Sequence, residues 1–201
     1  ISFPRIQGAD AVGTVVRVGE AVEQSLLGKR VMIDGWLRDW DDPLNQSKAS
    51  YFGSECDGGY AQYTKVSNRQ VHPVETTMSD AELATFACSY VTAENMLNRG
   101  AVTAGDTVLV TGASGGVGSA LIQLANRRGA KCVGLCSADK TDDVKAVGPL
   151  AVIDRNCSDL GSALRDAIGS ESVDVVADVV GGSLWPQLIN ALARGGRYTC
   201  A

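Results

Sequence analysis

The stretch Thr107-Val108-Leu109-Val110-Thr111-Gly112-Ala113-Ser114-Gly115-Gly116-Val117-Gly118 runs straight on into Ser119-Ala120-Leu121-Ile122-Gln123-Leu124-Ala125. Its first part is apolar and β-branched, which reads as a buried parallel strand. Glycines follow at once, and then Val117, Leu121, Leu124 and Ala125 recur at helical spacing. Strand, glycine turn and helix together are the context in which such a cluster reads as a dinucleotide site. A Cβ at Gly115 or Gly116 would obstruct the approach of a pyrophosphate, and Gly118 lets the helix pack closely on the strand. The phosphates then face the positive end of the helix dipole. The spacing departs from the usual fingerprint, because the first glycine position is held by Ala113, with Gly112 just before it.

Beyond this unit the chain alternates regularly. Strands are predicted at Lys131–Cys136, Leu150–Asp154, Val173–Val180 and Gly196–Cys200, and helices at Lys140–Val147, Ser158–Ile168 and Leu184–Ala193. Five strands with right-handed crossovers give an α/β fold with a doubly wound parallel sheet. Before this unit the pattern differs. Ala11–Gly19 and Gly28–Ile33 read as short strands, and Asp57-Gly58-Gly59-Tyr60 as a turn into another strand through Val66. No helical period appears before Ser79, which is a plausible N-cap with Glu82 completing a capping box. That helix is expected to reach Cys88, and a second to run from Tyr90 to Asn98. Trp36–Ser54, including Pro43-Leu44-Asn45-Gln46, has the composition of a loop. It is either a surface excursion pinned by its tryptophans or part of a pocket wall. The expected boundary therefore separates a β-rich part, residues 1–89, from an alternating part, residues 90–201.

The 201 residues are 45% hydrophobic and 20% charged, the balance of an ordinary globular protein. A net charge of −5 argues against nucleic acid as a partner. No apolar run approaches the roughly 18 residues of a membrane span, and no secretory signal opens the chain. Six scattered cysteines, Cys56, Cys88, Cys132, Cys136, Cys157 and Cys200, include no CxxC pair. Unpaired thiols of this kind are expected in a reducing cytoplasm. The single histidine, His72, reads as a core or surface residue.

Several of these segments resemble the medium-chain dehydrogenase/reductase superfamily, and within it the quinone-oxidoreductase-like branch. Pro4–Gly19 is similar to the segment that begins Gly-His-Glu in zinc alcohol dehydrogenases. Gly28-Lys29-Arg30-Val31, Asp57–Tyr63 and Gly112–Gly118 resemble three further motifs of the family. The resemblance covers essentially the whole chain. It implies part of a GroES-like catalytic domain followed by a Rossmann domain, with the chain truncated at both ends and lacking the last Rossmann strand. It also implies an oxidoreductase moving a hydride between a nicotinamide and a small carbonyl, enone or quinone, with a small-molecule substrate and a homodimeric assembly.

By the same resemblance Thr92 contacts the nicotinamide, and Tyr90 lies near it as the candidate for a catalytic role. Ala113, Ser114, Gly115, Gly116, Val117 and Val179 are further cofactor-binding candidates. The predicted second strand ends Gly134-Leu135-Cys136-Ser137, with no carboxylate at its tip to bond a ribose 2′-OH. Ser137 and Lys140 resemble the Ser/Thr-x-x-Lys signature of NADPH-dependent quinone reductases, and Arg155 falls where those enzymes place a second phosphate contact. NADP(H) is therefore expected ahead of NAD(H), although Asp139 beside Lys140 offers a ribose ligand.

A catalytic Zn²⁺ needs three protein ligands and an open position. The family's histidine position is Ala9, which cannot ligate, and Asp10 replaces the glutamate after it. Cys88 matches one family cysteine, so Asp10 and Cys88 are the candidate metal ligands. The expected enzyme works without catalytic zinc. Two alternatives stand beside it: a zinc-dependent alcohol dehydrogenase using Cys88, and a cofactor-binding module without catalysis.

Overall fold

A computed structural model describes residues 2–42 and 46–201. The chain divides into two compact units, Ile1–Cys88 and Ser89–Ala201. In the first, β1 (Val12–Thr14), β2 (Arg30–Ile33) and β5 (Val71–Pro73) form an antiparallel sheet in the order β1-β2-β5. Val31 and Ile33 alternate inward while Arg30 and Met32 stay partly exposed, as a half-buried strand requires. Between β2 and β5, β3 (Trp36–Leu37) and β4 (Ser50–Tyr51) make a short hairpin.

The predicted Ala11–Gly19 strand is cut to Val12–Thr14. The Val15 N–H still donates to Lys29 O, but Val16 is 64% exposed and the ladder stops there. No strand forms at Tyr60–Val66. The Ala61 N–H turns back to Gly59 O, and Ala61–Lys65 are exposed, with no neighbouring strand among the described residues to pair with. The loop reading of Trp36–Ser54 gains the β3–β4 hairpin and an internal anchor. The Arg38 guanidinium stacks 4.3 Å from the Trp36 ring and 5.0 Å from Trp40, and pairs with Asp34 at 2.9 Å. Pro43–Asn45 of that stretch lie outside the described residues.

Helix α1 (Asp80–Ala84) opens with the expected capping box, Ser79 and Glu82 bonding each other's backbone. Arg30 fixes its approach by donating to Asp80, Thr76 O and Met78 O. The break before α2 (Phe86–Arg99) falls at Thr85, not beside residue 89 as the sequence suggests. The Thr85 hydroxyl donates back to Glu82 O at 2.7 Å, and this local bond ends α1.

In the second unit β6 (Thr107–Val110), β7 (Lys131–Cys136), β8 (Ala151–Asp154), β9 (Val173–Asp178) and β10 (Leu192–Cys200) form a parallel sheet in the order β10-β9-β6-β7-β8. Helices α3 (Gly116–Arg127), α4 (Thr141–Ala146), α5 (Leu160–Ile168) and α6 (Trp185–Asn190) alternate with the strands. Val108 and Val110 face one buried cluster, with Met96 and Leu97 of α2 and Leu121, Ile122 and Ala125 of α3. Leu109 faces the other, with Leu160 and Leu164 of α5 and Leu188 of α6. Alternate residues of one central strand thus feed both layers of a doubly wound fold. The last strand begins at Leu192 rather than Gly196, because a bulge between Leu192 and Arg197 absorbs Gly195 (φ +79°) and Gly196. Arg197 beyond it donates to Ala101 O and Asp106, both at 2.6 Å, holding the turn that enters β6.

The Asp57-Gly58-Gly59 motif has a packing cause. A Cβ on Gly58 would stand 2.4 Å from Gly8 O, and one on Gly53 would stand 2.7 Å from the same oxygen. Gly58→Ala is therefore expected to destabilise the protein by about 1–3 kcal/mol through overpacking. A denaturation midpoint unchanged from wild type would refute this backbone contact.

Candidate cofactor site

Strand β6 ends at Val110, and the chain must turn within a few residues to start α3. Gly112 takes φ +56°, and a Cβ there would lie 2.9 Å from Val179 Cγ2. A Cβ on Gly118 would fall 2.2 Å from Gly112 O, so the first turn of α3 lies directly on the end of the strand. The N-cap of α3 is Gly115, which has no side chain to bond the first-turn amides. Those amides have no partner within the helix and point to where an anion would bind. Ser114, Gly115 and Gly116 are exposed and Val117 is half-buried around that opening. Ala113 differs. It is fully buried, and its N–H donates to Leu135 O, so it offers no surface to a ligand.

The structure gives Gly116 an internal constraint that the sequence did not reveal. Its Cβ position lies 2.6 Å from the Ser89 Oγ on α2, so that hydroxyl stands against the start of α3. Thr92, also on α2, is half-buried. Tyr90 packs its ring on the cluster formed by α2, α3 and β6.

At the tips of β7 and β8, Cys136 pairs with Asp154, and the Arg155 N–H donates to Cys136 O at 2.8 Å. Arg155 is thereby carried to the end of β7, close to Ser137. The Lys140 N–H donates to Ser137 O, turning that residue back over the same strand end. Lys140 and Arg155 are both exposed, and the Lys140 Nζ lies 3.5 Å from Asp143. Asp139 sits among them. A bond from the Ser137 hydroxyl, with the charges of Lys140 and Arg155, holds its carboxyl below the ordinary value.

Between β6 and β9 lies a buried polar cluster that sequence reading missed. Asp178 ends the apolar run Val175-Val176-Ala177 and is 1% exposed. Its Oδ1 accepts from the Thr111 hydroxyl at 2.5 Å and from the Val180 and Gly181 amides at 2.9 and 3.0 Å. Its Oδ2 accepts from the Tyr198 hydroxyl at 2.5 Å. The Thr111 Oγ1 in turn accepts from the Val179 N–H at 2.9 Å. Burial pushes the Asp178 carboxyl up, but the four donors together outweigh it and leave it below the usual carboxylate value. Burial and the adjacent Asp178 raise the Tyr198 phenol. A carboxylate closing an otherwise apolar strand was the available signal, since a buried charge must be matched by donors.

The two metal candidates meet in the first unit, in another role. The Asp10 Oδ1 accepts the Cys88 N–H at 2.7 Å, so the carboxylate bonds an amide in the first turn of α2. His72 lies on β5 opposite Met32. Among the described residues no group of three His, Cys, Asp or Glu side chains is placed to hold a metal ion.

Residues 1–76 match the model of the alcohol dehydrogenase GroES-like domain, and residues 116–201 match that of the zinc-binding dehydrogenase family. Acryloyl-coenzyme A reductase of Metallosphaera sedula is 31% identical over 98% of this chain and 60% of its own length. Quinone oxidoreductase of Sus scrofa is 26% identical over 97% of this chain and 54% of its own. Among solved structures, a Sinorhizobium meliloti protein provisionally assigned as an alcohol dehydrogenase is 47% identical. It superposes with a TM-score of 0.94 over 100% of this chain and 55% of its own. The chain thus spans less than two thirds of the length of these relatives, which are named as oxidoreductases. No described helix is long and apolar enough to cross a membrane. Two family models in chain order and a parallel sheet entered through a glycine turn lead to one assignment: the chain belongs to the medium-chain dehydrogenase/reductase superfamily.

Proposed function

We propose that this chain is part of an NADP(H)-dependent oxidoreductase that moves a hydride between the nicotinamide and a small carbonyl, enone or quinone without catalytic zinc. In this reading residues 1–89 are part of the GroES-like catalytic domain and 90–201 the Rossmann domain short of its last strand. The observation that carries it is the start of α3, where a glycine N-cap leaves the first-turn amides open directly beyond β6. When bound, the nicotinamide supplies or accepts the hydride. The protein binds and orients: the α3 amides hold the pyrophosphate, Thr92 and Val179 face the nicotinamide half, and Tyr90 stays at the margin of that site. A hydroxyl or backbone N–H polarises the substrate carbonyl in place of a metal.

Support for NADP(H) over NAD(H) comes from the tip of β7, where Ser137, Lys140 and Arg155 gather beyond Cys136, a strand end that is itself not a carboxylate, while Asp139 among them is the ribose ligand an NAD(H) site would use. Lys140→Ala is expected to weaken NADPH by about 1–3 kcal/mol, the worth of a charge-assisted contact, and to leave NADH nearly unchanged. Equal or tighter NADH binding by wild type, with Lys140→Ala neutral, would remove the assignment. Binding of NADPH by the full-length protein without turnover of any enone, quinone or alcohol would favour the non-catalytic module.

Full-length protein purified without added metal is expected to contain well under one zinc per chain. Metal analysis showing one zinc, lost in Cys88→Ala, would establish the alcohol dehydrogenase alternative. The proposal extends to a cytoplasmic homodimer. Six free thiols support the reducing compartment. Sedimentation of the full-length protein at its single-chain mass would refute the dimer.

A further inference from the structure

We propose that Thr111 and Asp178 are positioning residues that set the walls of the crevice between β6 and β9 for the cofactor, an inference that rests on the cofactor reading above. The sheet order β10-β9-β6-β7-β8 sends the chain from β6 toward β7 and from β9 toward β10, so the connections leaving these two adjacent strands run in opposite directions. In open α/β sheets, the crevice beyond the strand ends at such a reversal is where ligands bind. Thr111 follows one of the two strands that bound it, and Asp178 ends the other.

The cluster fixes both walls. Asp178 and Thr111 together take up the amides of three successive residues, Val179, Val180 and Gly181. The Thr111 hydroxyl donates to Asp178 and accepts from Val179, so it ties the two strand ends by a side chain-to-backbone relay. Held this way, Val179 and Val180 lie against Gly112, where an added Cβ would meet their methyls at 2.9 and 3.2 Å. The glycine turn and the loop after β9 therefore touch with no room for a further methyl group. Tyr198 braces the other carboxylate oxygen from β10, and the Trp185 ring meets it edge-on at 6.5 Å. The loop that carries Val179 cannot shift without breaking bonds to a buried carboxylate, which is costly. A wall so held is preorganised for the part of the cofactor that NADPH and NADH share.

The test uses the full-length protein and direct titration with NADPH and with NADH, at a temperature where circular dichroism shows each variant folded. Thr111→Val leaves the Val179 N–H unpaired. It is expected to weaken both cofactors about tenfold and by the same factor, while Thr111→Ser restores wild-type affinity. The equal loss separates this effect from Lys140, whose removal acts on NADPH alone. Tyr198→Phe, which keeps all three amide bonds, is expected to weaken both about threefold and stands in if Thr111→Val does not fold. Folded variants that melt earlier but bind both cofactors as wild type does would overturn the inference and leave the cluster a structural brace. Failure of wild type to bind either cofactor would overturn the cofactor reading itself, and this inference with it.

Discussion

The second unit depends on how closely a helix can approach the strand that leads into it. With no Cβ on Gly118, α3 settles onto Gly112 O, and the axis of the helix is set by backbone contact. Everything else in the unit answers to that contact. Leu121, Ile122 and Ala125 reach the sheet because α3 begins there, and they fill one of its two buried layers. The open amides follow from the same choice, since a capping side chain at Gly115 would occupy the space an anion needs. Packing, and the binding proposed for this turn, thus call on one run of glycines for different reasons at each position.

The first unit is built on other terms. Its described strands are two to four residues long, and its tightest contacts are between backbones at Gly8, Gly53 and Gly58. Asp10 illustrates how local demands decide a residue's role. Next to Ala9 it has no imidazole neighbour to share a metal with, and it bonds the start of a helix instead. The charge that could serve a cation is stabilised by an amide and by the helix dipole.

How much was legible follows from this contrast. The parallel strands are continuous apolar runs bounded by glycine, and β7 falls at Lys131–Cys136, where the pattern placed it. Short, half-exposed strands give weaker patterns. Val71–Pro73 is three residues long and ends in proline, a weak strand signal, and it lies at the edge of its sheet, where a missing N–H costs little. The Tyr60–Val66 alternation looked like a strand, but pairing depends on a neighbour that composition cannot supply. The tight turn from β6 into α3 was legible from its glycines. The Thr111–Asp178–Tyr198 cluster was not, because its members are distant in sequence and share no period; only the fold brings them together.

The strand order also bears on how the chain folds as it is made. Thr111 and Asp178 are separated by 67 positions, and β9 fills the side of β6 that β7 leaves open. During synthesis at about 5–20 residues per second, β6 waits roughly 3–13 seconds for that neighbour. Until then a strand of Val, Leu and Val has one ladder of amides and carbonyls unpaired. It is the kind of edge on which other chains add. The central strand of the finished sheet is thus the inner strand whose edge stays open longest during translation.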